Sequence, residues 1–102
     1  VAAPFRRRRK IAMDLIGGQN VVRAVPCSGA MYMMLDIRAT GLSGEAFAHG
    51  LLNAKQIAVM PGESFGRAAA GHIRVAMTVG DAQFTHALEI LLNFAAATSS
   101  IK

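Results

Sequence analysis

Cysteine occurs once in this 102-residue chain, as Cys27, so no internal disulfide can form and nothing implies an oxidising compartment. A cytosolic setting is the default expectation. No apolar run approaches the roughly 20 residues that a bilayer span needs, and the first ten residues carry charge where a secretory signal would be apolar. The chain therefore reads as soluble. Metal ligands are also short: His49, His72 and His86 lack metal spacing, and Cys27 has no second thiol beside it. Each histidine reads as a surface or core-edge residue. Residues 61–66 lack the Gly-Lys-Ser/Thr ending of a phosphate loop, which speaks against nucleotide binding. A Cys27 nucleophile with His72 or His86 as base has nothing but composition behind it.

What the chain does have is apolar residues, 53% of the total, enough for one core in a single domain over residues 1–102. The formal charge of +5 is concentrated in Arg6, Arg7, Arg8, Arg9 and Lys10, because the other six Lys and Arg balance six Asp and Glu. Five consecutive residues on a helix cover more than a turn, so these side chains radiate instead of forming a stripe along a phosphate backbone. A solvated helix, or a surface that meets acidic groups elsewhere, is favoured over a nucleic-acid site.

Periodicity orders the elements. Ile11, Leu15 and Ile16 carry the basic run into a helix that stops at Gly17-Gly18, with no capping signal at its start. A short β-branched segment, 21–25, ends at Pro26. Ser28-Gly29 turns the chain into an apolar strand over 31–37, expected to be central, in which Met31, Met33 and Met34 read as adaptable core packing. Ser43 is a natural N-cap for a helix to about Lys55, with Phe47, Ala48, Leu51 and Leu52 at helical spacing. Residues 57–60 form a third strand candidate, and the loop from Glu63 to Gly71 should be tight. Residues 72–78 alternate, placing Ile73, Val75 and Met77 on one face and His72, Arg74, Ala76 and Thr78 on the other. Asp81 is expected to cap a last helix built on Phe84, Leu88, Leu91, Leu92 and Ala95. The sum is an α/β (α+β) two-layer sandwich, a small sheet of three or four strands with helices packed on one face.

Arg74 is the first residue with chemical content. If Ile73, Val75 and Met77 pack under helices, its guanidinium leaves from the uncovered side of the sheet. A planar group with five donors there suits a bidentate grip on a carboxylate. The plainer alternative is a strand arginine paired loosely with Asp36 or Glu63.

Four stretches carry a resemblance: 26–32 (Pro-Cys-Ser-Gly-Ala-Met-Tyr), Phe47-Ala48 with Leu51-Leu52, 59–66 (Val-Met-Pro-Gly-Glu-Ser-Phe-Gly) and 71–75 (Gly-His-Ile-Arg-Val). Together they resemble, from about Phe5 to Phe94, the C-terminal small domain of class I and II pyridoxal-phosphate-dependent aminotransferases of the aspartate aminotransferase fold type. The resemblance implies that Arg74 binds the α-carboxylate of the amino-acid substrate, orienting its Cα–H bond for proton removal. It also implies that Phe65, in the loop 61–66, lines the substrate entrance. The basic run resembles the arginine-rich start of the family's small domain, with more arginines than the family pattern leads one to expect.

The same resemblance places the Schiff-base lysine and the residues that hold pyridoxal phosphate in a large domain absent from this sequence. The chain alone is then expected to bind no pyridoxal phosphate and to be inactive. Implied partners are amino-acid and 2-oxo-acid substrates, its own large domain and, in the intact enzyme, a second subunit in a homodimer. Aspartate-type and arginine–pyruvate-type enzymes both stay open. The alternative function is a stand-alone basic α/β module that binds RNA or another acidic partner through Arg6 to Lys10.

Overall fold

Side-chain alternation along two five-residue strands decides the architecture. In Tyr32–Asp36, Met33 and Leu35 are buried while Tyr32, Met34 and Asp36 are only half-buried. In His72–Ala76, Ile73 is buried between half-buried His72 and Arg74. The two strands pair antiparallel, with Leu35 opposite Ile73 and Met34 opposite Arg74. Residues directly opposite each other share a face. Leu35 and Ile73 therefore point into the core, and Met34 and Arg74 point away from it.

The computed structural model describes residues 2–25 and 32–99. In chain order the elements are α1 (Ala2–Gly17), β1 (Arg23–Ala24), β2 (Tyr32–Asp36), α2 (Gly44–Lys55), β3 (Met60–Pro61), β4 (His72–Ala76) and α3 (Asp81–Ser99). Short 3-10 turns cover Arg38–Thr40, Gly62–Phe65 and Arg67–Ala69. The sheet is antiparallel throughout, in the order β1-β2-β4-β3, so β2 is an inner strand as expected. Its inner face meets Ala12 and Ile16 of α1, Phe47 and Leu51 of α2, and Phe84, Leu88 and Leu91 of α3 in one buried cluster. This is the two-layer sandwich that the periodicity implies. No helix among the described residues is long and apolar enough to cross a membrane.

The helix ends follow local chemistry. Ser43 caps α2, its hydroxyl oxygen accepting from the Ala46 amide at 3.0 Å. Gln56 closes the other end at φ 60°, its amide reaching the Leu52 carbonyl. After α1, the side chain of Gln19 accepts from the Val21 and Val22 amides and donates to the Ile16 and Val22 carbonyls. That one amide satisfies the backbone where the chain turns from helix to strand. It also takes the Val21 and Val22 groups that a longer β1 would have used, so β1 starts at Arg23 instead of the expected residue 21, and the Val25 amide on the Met34 carbonyl continues the pairing beyond Ala24.

Three further expectations are corrected. Residues 57–60 are not a strand: only Met60–Pro61 pairs with β4, and the apolarity of Ile57 and Val59 serves packing against the core. The methionines do not form one cluster, because alternation buries Met33 and puts Met34 on the outer face, while Met31 lies outside the described residues. Asp81 opens α3, but its carboxylate accepts from the Nε of both Arg7 and Arg8. The Phe84 amide bonds instead to the Gly80 carbonyl. Arg8 also donates to the Met77 carbonyl and stacks on Phe5, so this ion cluster joins the starts of α1 and α3.

The guanidiniums of Arg7 and then Arg8 hold the Asp81 carboxyl below the usual carboxylate range, as that of Arg38 does for Asp36. A folded-state value below the unfolded one contributes stability above the unfolded value, and that contribution is lost as pH falls through the folded value. Urea midpoints measured by circular dichroism should therefore fall from about pH 4 downward. Asp81→Asn should lower the midpoint at pH 7 and flatten the acid limb. A Cβ at Gly62 would overlap the carbonyl oxygens of Ala69 and His72. Gly62→Ala should thus destabilise by about 1–3 kcal/mol in the same measurement.

Candidate functional site

Three segments converge on the outer face of the sheet. β4 supplies Arg74, flanked in register by Met34 of β2 and Met60 of β3. Tyr32 comes from the same face of β2, one alternation step from Met34. The 3-10 turn Gly62–Phe65 folds back from the edge strand and brings Phe65 over the sheet. The Arg74 guanidinium carbon lies 4.0 Å from the centroid of the Tyr32 ring and 4.3 Å from that of Phe65. Two aromatic rings bracket one cation.

Each such contact contributes roughly 0.5–2 kcal/mol according to how dry it is. The larger consequence is positional, since a long side chain with about 2 kcal/mol of rotamer entropy is held in one plane. Arg74 is half-buried, and its Nε is shut off from solvent without a hydrogen-bond partner. Leaving a charged donor unsatisfied is costly, and the stacked rings on either side are what hold Nε in that state. With rings along its flanks and Nε closed off, the guanidinium offers its two terminal nitrogens. Those two parallel donors match the two oxygens of a carboxylate.

The plainer alternative for Arg74 fails on geometry. Asp36 is engaged by Arg38, which reaches it through Nε at 3.0 Å and Nη2 at 2.8 Å. Glu63 accepts from the backbone amides of Gly44 and Gly71 at 3.0 and 3.1 Å. No acidic side chain among the described residues pairs with Arg74. Both residues singled out from sequence, Arg74 and Phe65, are thus brought together. Tyr32 was missed as a stacking partner, because only the β2–β4 register shows that it shares a face with Arg74.

The other candidates stay apart. Arg7 and Arg8 bind Asp81, Lys10 lies 3.5 Å from Asp14, and Arg9 is also engaged, so four of the five residues of the basic run have partners within the fold, while Arg6 is exposed. His72 bonds through Nδ1 to the Ala70 carbonyl at 2.9 Å, and His86 is exposed on α3. Cys27 lies outside the described residues. No metal-binding cluster occurs among the described residues. A cavity of about 310 Å³ between Ile57, Val59 and Val75 and the α3 residues Phe84 and Leu88 has no charged residue in its lining. It lies on the helix-covered side and takes no part in the arginine site.

Comparison with known proteins gives this arrangement its context. The family description aminotransferase class I and II matches residues 5–91. The chain belongs to that family. An arginine–pyruvate transaminase of Pseudomonas aeruginosa is 42% identical over 76 residues, covering 74% of this chain and 19% of that protein. The aromatic aminotransferase of Pyrococcus horikoshii OT3 superposes with a TM-score of 0.83 at 26% identity, covering 97% of this chain and 26% of that one. A protein of Clostridium difficile 630 solved with pyridoxal phosphate bound superposes with a TM-score of 0.79 at 22% identity, covering 89% of this chain and 24% of its own. The chain thus spans about a fifth to a quarter of the length of these relatives.

Class I and II aminotransferases depend on pyridoxal phosphate. The described residues do not fit that group. Lys10 pairs with Asp14 on α1, Lys55 is exposed at the end of α2, and neither shares the sheet face of Arg74. No acid is available beside Arg74 to meet a pyridinium nitrogen.

Tyr32 is the only tyrosine, and there is no tryptophan, so intrinsic emission reports on this site alone. Replacing Arg74 by Ala should increase acrylamide quenching of that emission, because the guanidinium covers the ring. Phe65→Ala should have a smaller effect. Quenching unaltered by Arg74→Ala would mean that the two side chains do not stack.

Proposed function

We propose that this chain acts as the carboxylate-gripping small domain of a pyridoxal-phosphate-dependent aminotransferase, which transfers an amino group from an amino acid to a 2-oxo acid. The observation that carries the reading is the bracketed, unpaired guanidinium of Arg74 on the outer face of the sheet. Both substrates of transamination carry an α-carboxylate that the reaction leaves untouched. One arginine can therefore hold either, and its fixed plane sets the orientation of the bond at Cα. Phe65, on the rim and 43% exposed, borders the approach to the terminal nitrogens.

The grip is indifferent to the rest of the substrate, so donor choice belongs to residues that face the side chain. The relative that acts on arginine and pyruvate and the one named for aromatic amino acids both match this chain, consistent with that division. In this reading the cofactor, its lysine and the residues that cradle its phosphate belong to the three-quarters to four-fifths of the relatives' length that this chain does not cover. The outer face, with Met60 and Phe65 exposed, is the side on which that large domain would lie. A homodimer in the intact enzyme completes the proposal, and the chain by itself is inactive.

In the full-length enzyme, Arg74→Ala should raise KM for the amino acid and for the 2-oxo acid alike. Truncating one side of a buried charge pair costs about 2–5 kcal/mol, roughly 30-fold to several thousand-fold in affinity. Arg74→Lys should recover only part, because an ammonium lacks the planar fork. Steady-state kinetics with both substrates test this, and unchanged KM values would remove Arg74 from the site. The 102-residue chain supplied with pyridoxal phosphate should show no transamination in a coupled assay.

A further inference from the structure

Glu63 is an acid that the carboxylate grip does not use, yet it sits two residues from Phe65 in the same 3-10 turn. Its Oε2 accepts from the Gly71 amide at 3.1 Å and from the Gly44 amide at 3.0 Å. Gly71 is the residue before β4, three positions ahead of Arg74, and Gly44 opens α2. One carboxylate oxygen thus ties together the turn that carries Phe65, the entry to the strand that carries Arg74, and the first turn of a helix. Its position at that helix N-terminus suits a negative charge. The Gly71 amide, followed by other backbone amides that include Gly44, holds the Glu63 carboxyl below its ordinary range, so the tie is charge-assisted.

The surroundings leave the carboxylate little freedom. A Cβ on Gly44 would run into the His72 carbonyl oxygen and lie 2.6 Å from Glu63 Oε1, and one on Gly62 would overlap the Ala69 and His72 carbonyls. Gly71 has φ +74°, and the space where its Cβ would sit is filled by the Arg38 stem. Backbones meet here at the closest approach that glycine permits. Glu63 Oε1 is buried without a partner, an unfavourable element that persists in a junction whose geometry is otherwise fixed.

We infer that Glu63 is a positioning residue for the carboxylate site: its side chain locks the Phe65 turn to the start of β4, so that the Phe65 ring keeps its place on the Arg74 guanidinium. The inference rests on the reading of Arg74 as the carboxylate grip. It adds a requirement that the grip alone does not have, namely that an acceptor of glutamate length sits at this position. Aspartate keeps the charge but is one methylene shorter, so it cannot span both amides from the same backbone turn. Glutamine keeps the length and an acceptor oxygen.

The test uses the full-length enzyme that contains this sequence, with Glu63→Asp, Glu63→Gln, Phe65→Ala, Arg74→Ala and the Glu63→Asp/Phe65→Ala double variant. Steady-state KM and kcat are read for both substrates, and a pyridoxal-phosphate absorbance spectrum checks that each variant is folded. Glu63→Asp should raise KM for both substrates about tenfold with kcat changed less than threefold. Glu63→Gln should stay within about threefold of the parent enzyme. On the Phe65→Ala background, Glu63→Asp should add less than about twofold, because the lock then has no ring left to place.

Normal KM values for Glu63→Asp, or full additivity in the double variant, would overturn the role of Glu63 while leaving Arg74 in place. Unchanged KM values for Arg74→Ala would overturn the carboxylate reading itself, and with it this inference. If Glu63→Asp does not fold, Glu63→Met, which keeps the length but has no acceptor oxygen for the Gly44 and Gly71 amides, decides: KM raised about tenfold for both substrates supports the lock, and KM within about threefold of the parent enzyme overturns it.

Discussion

The antiparallel register between β2 and β4 is the constraint on which the rest depends. It places Met34 opposite Arg74 and Leu35 opposite Ile73. A slip of one residue would exchange the two faces, sending an arginine into a core lined by Phe47, Leu51 and Leu91 and exposing Ile73. The cost of burying an unpaired guanidinium among aliphatic groups makes that alternative inaccessible. Burial of one face therefore fixes the chemistry of the other, and the arginine sits where it does because isoleucine and leucine occupy the core side.

The junction beneath the site turns a strand residue into an oriented one. Glu63, Gly44, Gly62 and Gly71 bring three backbone segments together at distances a larger residue would not allow. Arg38 fills the space left by Gly71 and closes on Asp36, which occupies the acid nearest along the sheet. The result is a cation held by aromatic rings, with neighbouring carboxylates already engaged elsewhere. In the role proposed for it, such an arrangement takes up an external carboxylate without first having to break an internal ion pair.

Much of this was legible in the sequence, and the parts that were not have specific reasons. Helical spacing of Phe47 with Leu51 and of Phe84 with Leu88 gave α2 and α3, and the alternation through Ile73 and Arg74 gave β4 and the direction of its arginine. Periodicity reports burial, however, and burial is shared by paired strands and by packed irregular chain. Residues 57–60 therefore looked like a strand and are mostly not one. The double engagement of Asp81 by Arg7 and Arg8 joins residues more than seventy positions apart, which no local pattern records. Tyr32 became visible as a site residue only through register, and Glu63 only through the two amides it binds.

The central claim is that the Arg74 guanidinium is bracketed by the Tyr32 and Phe65 rings with its Nε closed off. Nuclear magnetic resonance of the ¹⁵N-arginine-labelled chain observes that group directly, with the Nε–H signal assigned by its loss in Arg74→Lys. The account predicts a signal shifted upfield by the two ring currents and exchanging with water far more slowly than the solvent-exposed Nε–H of Arg6. An Arg74 signal at the position and exchange rate of an exposed arginine would contradict it.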